Sequence, residues 1–308
     1  MSDINDSATI RVGVEICTSA LRAVSIGPDG QLTTKSTVPF DGTRETLPQL
    51  VELIDGLKGD LGSFDQIGIA VPGLVDRASG RVEFSLHFPD HSKIDLVKEI
   101  GDATGLAVAI ENDANAAAYG EFIFGAGRGS SNFFYVTLGE GVGGAFVFGG
   151  EIWRGAAGFA GEFGYVPINS EGMRLEEVAS SSNIIRRTRS RFHQDSTSSL
   201  SKLAEEEITL AAIITAARED DDFAKMMLER TGVYVGTAIA TVINLLNLEK
   251  IVVGGEIMEA KHLVLDAIIG RAQELSFAPS FDAATIIEGE LGPYAAAVGA
   301  ALLADQPK

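Results

Sequence analysis

The tightest constraint on this chain is the run Ala109-Ile110-Glu111-Asn112-Asp113-Ala114-Asn115-Ala116-Ala117-Ala118-Tyr119-Gly120-Glu121. An alternating apolar segment from Leu106 to Ile110 stops at three polar residues and continues as an alanine-rich stretch. That is the pattern of a strand running directly into a helix. Asp113 then stands at the helix N-terminus, where free backbone N–H groups and the positive end of the dipole favour a carboxylate. It also faces the crevice that α/β proteins open at the carboxyl ends of their strands. Two roles suit it there, helix cap and general base, and the run by itself leaves both open.

The remaining pattern supports an α/β chain of two domains. Residues Ile10 to Ile26 read as strand, short turn and strand, with Cys17-Thr18-Ser19-Ala20 at the turn, and Gln31 to Pro39 read as a third strand. Leu47, Leu50, Val51, Ile54 and Leu57 have helical spacing within Glu45 to Leu61, and Gln66 to Gly73 then reads as a buried strand. A helix between strands predicts a crossover to a parallel partner. A turn and strand over Arg77 to Phe88 and a helix over Lys93 to Thr104 lead to the strand that delivers Asp113. From Asn132 the opening pattern recurs: Phe133 to Leu138, a glycine-rich turn at Gly139-Glu140-Gly141-Val142-Gly143-Gly144, then Ala145 to Phe148. Such turns bring backbone N–H groups close to a phosphate, although glycines also serve simply to turn a hairpin. Helices are predicted from Leu175, over Ala211 to Arg218, over Phe223 to Asn247 and over Tyr294 to Leu303. Ile251 to Ile257 reads as a central strand entering a glycine turn.

At 308 residues with 45% hydrophobic side chains, two cores can be filled. No apolar stretch reaches the length of a membrane span and Met1 to Thr9 is polar, so a cytoplasmic protein without membrane contact is expected. Cys17 is the single cysteine and excludes an internal disulfide; His87, His91, His193 and His262 are scattered without metal-ligand spacing. A net charge of −19 opposes a nucleic-acid partner. The basic run Arg186, Arg187, Arg189 and Arg191 reads as a solvated helix face, with a subunit contact or an anion role as the alternative.

Four stretches in this order resemble the ROK family of bacterial sugar kinases and related repressors: Glu111 to Ala117, Gly158-Phe159-Ala160-Gly161-Glu162-Phe163-Gly164, Ile251-Val252-Val253-Gly254-Gly255-Glu256-Ile257, and Leu291-Gly292 leading into Ala296 to Ala301. With Val71-Pro72-Gly73 they span nearly the whole chain. The resemblance implies the two-domain actin-like ATPase (ribonuclease H-like) fold with a cleft between domains. Residues 1–113 plus 293–308 would form the smaller domain and 114–292 the larger. It implies a sugar and ATP as ligands, Mg²⁺ with the ATP, and a homodimer or homotetramer. By position, Asp113 would be the base accepting the proton of the sugar hydroxyl that attacks the γ-phosphate. Asn112, Glu162 and Glu176 would hold other hydroxyls, with Gly73 and Tyr165 lining the sugar pocket. Gly254 and Gly255 would pack against adenosine. Thr18 and Ser19, with Gly139, Gly141 and Gly143, would grip phosphates.

The chain departs from the family pattern at defined places. The first phosphate turn of the family reads Asp-x-Gly-Gly-Thr, whereas here it is Glu15-Ile16-Cys17-Thr18-Ser19, so side chains stand where backbone should approach phosphate. Glu140 replaces a small residue of the second turn. A carboxylate about 4 Å from a phosphate charge costs on the order of 4 kcal/mol at an effective dielectric near 20. Tyr165 replaces a histidine, and Val166 to Arg174 replaces the cysteine-rich loop, so no structural zinc is expected. These changes set a catalytically impaired sugar-binding protein beside the sugar kinase as the alternative. Repressor members carry a helix-turn-helix domain ahead of the core, and with a strand read from Ile10 that class is not expected.

Overall fold

The computed structural model describes residues 10–77, 79–86 and 88–305. His87, one of the four scattered histidines, lies outside the described residues. Beginning the chain, β1 (Arg11–Ile16), β2 (Ala20–Ile26) and β3 (Leu32–Pro39) form an antiparallel meander, as the alternation predicts. Helix α1 (Thr46–Leu61) buries Leu50, Leu53, Ile54 and Leu57 and crosses over to β4 (Gln66–Val71), which pairs parallel to β1. The turn and strand expected over Arg77 to Phe88 are a small hairpin of β5 (Leu74–Asp76) and β6 (Arg81–Phe84). A 3₁₀ turn at Pro89–Lys93 follows, then α2 (Leu96–Thr104), capped by the Asp95 carboxylate accepting from Lys98 N. Strand β7 (Ala107–Asn112) pairs parallel to β4 and passes into α3 (Asp113–Phe124) with no intervening residue.

The second half repeats the opening with β8 (Asn132–Leu138) and β9 (Val142–Phe148), then the short strand β10 (Glu151–Trp153). A helical stretch follows: α4 (Glu176–Ala179), α5 (Ser181–Arg189), α6 (Leu210–Arg218) and α7 (Asp222–Leu246). Strand β11 (Lys250–Gly254) pairs parallel to β8. Helices α8 (His262–Leu275) and α9 (Ala278–Asp282) lead to β12 (Thr285–Glu288), parallel to β11. The glycine turn after β11 reads as able to open a helix, to which α8 gives bounds, whereas the sequence does not mark β12. Helix α10 (Ala295–Leu303) ends the described chain. Among the described residues no helix is long and apolar enough to cross a membrane.

Two compact units result. One comprises the chain up to Arg128, Glu151–Ala160 and the segment from Pro293; the other comprises Gly129–Gly150 and Gly161–Gly292. The first unit has the sheet order β3-β2-β1-β4-β7, and the second contains β9-β8-β11-β12 in that order. The boundary expected at residue 113 is therefore corrected, because α3 belongs to the first unit. The reason is close packing of small residues: a Cβ at Gly299 of α10 would lie 1.7 Å from the Ala116 carbonyl oxygen of α3. Cβ atoms at Gly13 and Gly68 would likewise strike the α10 backbone, at 2.0 and 1.9 Å from the Ala297 and Ala300 oxygens. Helix α10 is thus seated on both the sheet and α3, and its alanines serve contact rather than propensity alone.

Candidate functional site

In the first unit β1, β4 and β7 run parallel, so their carboxyl ends bring three loops to one edge: the turn after Ile16, the turn containing Gly73, and Asn112-Asp113. That edge is where open α/β sheets present ligand sites. Asn112, and not Asp113, is the helix cap; its Oδ1 accepts from Asn115 N at 3.0 Å. Asn112 Nδ2 donates to the Gly73 carbonyl and to Asp113 Oδ1, both at 3.0 Å. Asp113 Oδ1 also accepts from its neighbour Ala114 N at 2.9 Å. The structure thereby joins Gly73, Asn112 and Asp113 and fixes one oxygen of the Asp113 carboxylate. Gly73 has φ 120°, and a Cβ there would lie 2.3 Å from the Phe84 carbonyl, so only glycine passes this point without strain.

Beneath Asp113 lies a buried carboxylate. Glu111 has 4% of its side chain exposed and takes Arg154 Nη2 at 2.6 Å and Nε at 3.2 Å on Oε2. Arg77 Nη1 stands 3.9 Å from the same oxygen. Oε1 accepts from Asn112 N and from Asn115 Nδ2, each at 3.1 Å. The sequence reading placed Glu111 in the motif but gave neither it nor Arg154 a role, since 43 residues separate them and no local pattern links the two.

The first-unit turn expected at phosphate is Cys17-Thr18-Ser19. It is a closed hairpin turn in which Cys17 N donates to Ala20 O at 2.9 Å. Arg22 Nη1 lies 3.3 Å from Glu15 Oε2 and donates to Cys17 Sγ at 3.1 Å. Burial raises the Glu15 pKa above the usual carboxylate range, with the Arg22 charge opposing it. Burial first, then the Glu15 charge, also pushes the Cys17 thiol well up, and the Asp113 charge adds to this. The turn therefore presents a protein-paired carboxylate and a neutral thiol, which does not fit the backbone approach to phosphate that two glycines would give.

In the second unit the carboxyl ends of the parallel strands β8 and β11 carry Gly139-Glu140-Gly141 and Gly254-Gly255. Gly139 N donates to Gly141 O at 3.0 Å and Gly139 O accepts from Ser181 N at 2.8 Å. Gly143 lies within β9, paired with Thr137, so it belongs to the ladder and not to the turn. Gly255 has φ 94°, and a Cβ there would lie 2.3 Å from the Leu138 oxygen; one at Gly254 would lie 2.3 Å from Tyr135 Oη. Both glycines let β11 and its turn close against β8, Gly255 against the Leu138 backbone and Gly254 against the Tyr135 ring and hydroxyl. Glu140 is exposed, and the Glu256 side chain lies against Gly139, its Cγ 3.6 Å from where a Cβ would be.

The sugar carboxylates expected in this unit come together. Glu176, the first residue of α4, accepts from Val142 N at 3.0 Å through Oε2. A Cβ at Gly164 would stand 3.3 Å from Glu176 Cβ and 2.3 Å from Val142 O, which explains the glycine. Glu162 is exposed as a residue, yet partial desolvation of its carboxyl raises its pKa, and the Glu176 charge raises it further. Two carboxylates in mutual electrostatic range suit a polyol whose hydroxyls donate to both. Tyr165 N donates to Glu162 O at 3.1 Å, and the Tyr165 ring, half exposed, is covered by the Arg174 guanidinium at 4.4 Å. Between them, Val166 to Arg174 folds back on itself through Ile168 N to Met173 O and Leu175 N to Val166 O.

Two sheets opened by repeated hairpins, with parallel strands delivering their loops at carboxyl ends, form the actin-like ATPase fold. The chain belongs to the ROK family, whose model matches residues 11–307. It is 32% identical over 267 residues to a glucokinase of Thermotoga maritima, covering 82% of this chain and 84% of that protein. A ROK family glucokinase from Streptomyces griseus, solved in complex with glucose and AMPPNP, superposes with a TM-score of 0.85 at 28% identity, over 97% of this chain and all of that one. The xylose repressor of Bacillus subtilis is 27% identical, over 76% of this chain and 59% of its own length.

Proposed function

We propose that this protein is a sugar kinase that phosphorylates a hexose or related sugar with ATP, Asp113 serving as general base. The observation that carries the reading is the division of labour at the start of α3: Asn112 caps the helix, so Asp113 is not consumed as the cap. Its carboxylate is oriented by two donors on one oxygen, at the sheet edge where a substrate hydroxyl can reach it. Bound ATP supplies the electrophilic phosphoryl group. Asp113 takes the proton of the reacting hydroxyl. Asn112 orients that carboxylate, while Glu162 and Glu176 accept hydrogen bonds from other hydroxyls, and Gly73 and Tyr165 shape the sugar's surroundings. Positioning of this kind supplies most of the rate in phosphoryl transfer, where little covalent chemistry is asked of the protein. Similarity to the glucokinases supports the reading. We further propose a homodimer or homotetramer in the cytoplasm, without a nucleic-acid partner.

A second reading, a sugar-binding protein without turnover, is favoured by the Glu15–Arg22 pair and by Glu140 and Glu256 at the glycine turn. Calorimetric titration of Mg·ATP, with and without a hexose mixture, separates the two. Binding at millimolar affinity or tighter, strengthened by sugar and accompanied by sugar phosphate formation, supports the kinase. Sugar binding with no nucleotide binding refutes it.

A further inference from the structure

Arg154 is the one residue of the first unit's glycine loop whose side chain reaches back to the strand carrying the proposed base. Its two guanidinium donors converge on Glu111 Oε2, while Glu111 Oε1 holds the backbone N–H of Asn112 and the side chain of Asn115. The loop is closed on itself by Ala160 N donating to the Arg154 carbonyl at 3.0 Å, with Gly155 and Gly158 at φ 71° and 89°. The guanidinium therefore connects two elements that are distant in sequence through one buried carboxylate. Arg77, at 3.9 Å, is the second cation on that carboxylate and is not within hydrogen-bond distance of it.

We propose that Arg154 is a positioning residue that acts through Glu111, fixing the first turn of α3, and so the Asp113 carboxylate, against the glycine loop. The assignment rests on the kinase reading for its effect on turnover, but not for its effect on structure. Without Arg154, Glu111 swings toward Arg77, and its hold on Asn112 N loosens. Asp113 then loses its alignment while the hydroxyl acceptors Glu162 and Glu176 are untouched. A misplacement near 1 Å costs roughly a hundredfold in rate. The expected result for Arg154→Met is thus a fall in kcat of at least about tenfold, with the hexose KM within about threefold of wild type. Because both donors meet a single oxygen, Arg154→Lys restores most of the lost kcat through one ammonium. A role limited to stability would not divide kcat from KM in this way, nor respond to the lysine.

The test has a second arm that needs no turnover. Hydrogen exchange measured by mass spectrometry on the full-length wild type, Arg154→Met and Glu111→Gln compares the peptide spanning Glu111 to Ala118 with one from α10. Faster exchange in the Glu111–Ala118 peptide of Arg154→Met, with the α10 peptide unchanged, is expected. Unchanged exchange there, or unchanged kcat in a turning-over enzyme, overturns the assignment. Exchange raised equally in both peptides also overturns it, since the effect would then be general loosening. A wild type that binds hexose without turnover overturns the kinase reading alone, and the exchange comparison still decides the role of Arg154.

Discussion

Asp113→Asn and Asn112→Ala, made side by side, separate catalysis from helix capping. In Asp113→Asn the side-chain oxygen can still accept from Ala114 N and Asn112 Nδ2, and the cap supplied by Asn112 stays in place. Helix stability loses only the favourable placement of a charge in the first turn, about 0.3–1 kcal/mol. The reaction loses its proton acceptor, for which ~10²–10⁴-fold in kcat is the ordinary cost, or about 3–5 kcal/mol of activation free energy. Asn112→Ala reverses the pattern in stability: it removes the cap, worth about 1 kcal/mol, and the tie to Gly73 O, worth about another. Urea unfolding followed by far-ultraviolet circular dichroism gives the stabilities, and a coupled assay over a panel of hexoses gives kcat and KM. Asp113→Asn should lie within about 1 kcal/mol of wild type, bind hexose within a few-fold, and be nearly inactive. Loss of sugar affinity together with turnover, or a stability loss as large as that of Asn112→Ala, would refute the assignment of Asp113 as base.

Two further outcomes follow from the site and the core. Glu140→Thr should strengthen Mg·ATP binding by about fivefold or more: Glu140 is exposed, so the repulsion at 4 Å falls from the ~4 kcal/mol of a partly shielded site toward the ~1 kcal/mol of water. Unchanged calorimetric affinity would show that Glu140 does not face phosphate. His91 is buried against Phe88 and bonded to Thr46 Oγ1, and desolvation lowers its pKa from 6.5 to about 4. The unfolded chain therefore binds a proton that the folded one refuses between these values, so stability falls as pH drops through that window, by about 3 kcal/mol at pH 4, and is unaffected above pH 7. Urea midpoints at pH 7 and pH 4.5 for wild type and His91→Asn check this, and an equal acid loss in both would sink it.

Much of the molecule was legible as pattern. The hairpins at both starts, the helix over Thr46–Leu61, the strand that delivers Asp113, and the long helix α7 follow from alternation, helical spacing and glycine turns, and lie within a few residues of expectation. Helix α8 received no bounds, although it buries Val264, Ile268 and Ala272 at helical spacing, and strand β12 was not marked. Helix α8 packs against α7 through Val264 and Ile268, so that Cβ atoms at Gly232 and Gly236 would meet the Val264 and Ile268 oxygens at 2.5 Å. Strand β12 has only four residues, too few for alternation to register.

At the site, the order of residues along the chain fixes which chemical groups are present and in what succession. It placed Asp113 at a strand–helix junction, grouped Glu162 and Glu176 by resemblance, and exposed the loss of glycine at Cys17 and Thr18. It left open whether Asp113 caps its helix, because cap and base use the same residue type at the same position, and only the side-chain bonds of Asn112 answer that. Glu15 and Arg22 stand opposite each other in the β1–β2 hairpin, a pairing that its register sets, but no pattern in the chain signals that Glu111 is held by Arg154 and Arg77. The Glu111 pairs depend on long side chains meeting from separate strands and loops. Such meetings are decided by tertiary packing, since a buried charge takes whichever partner the fold brings within reach and no local periodicity encodes the choice.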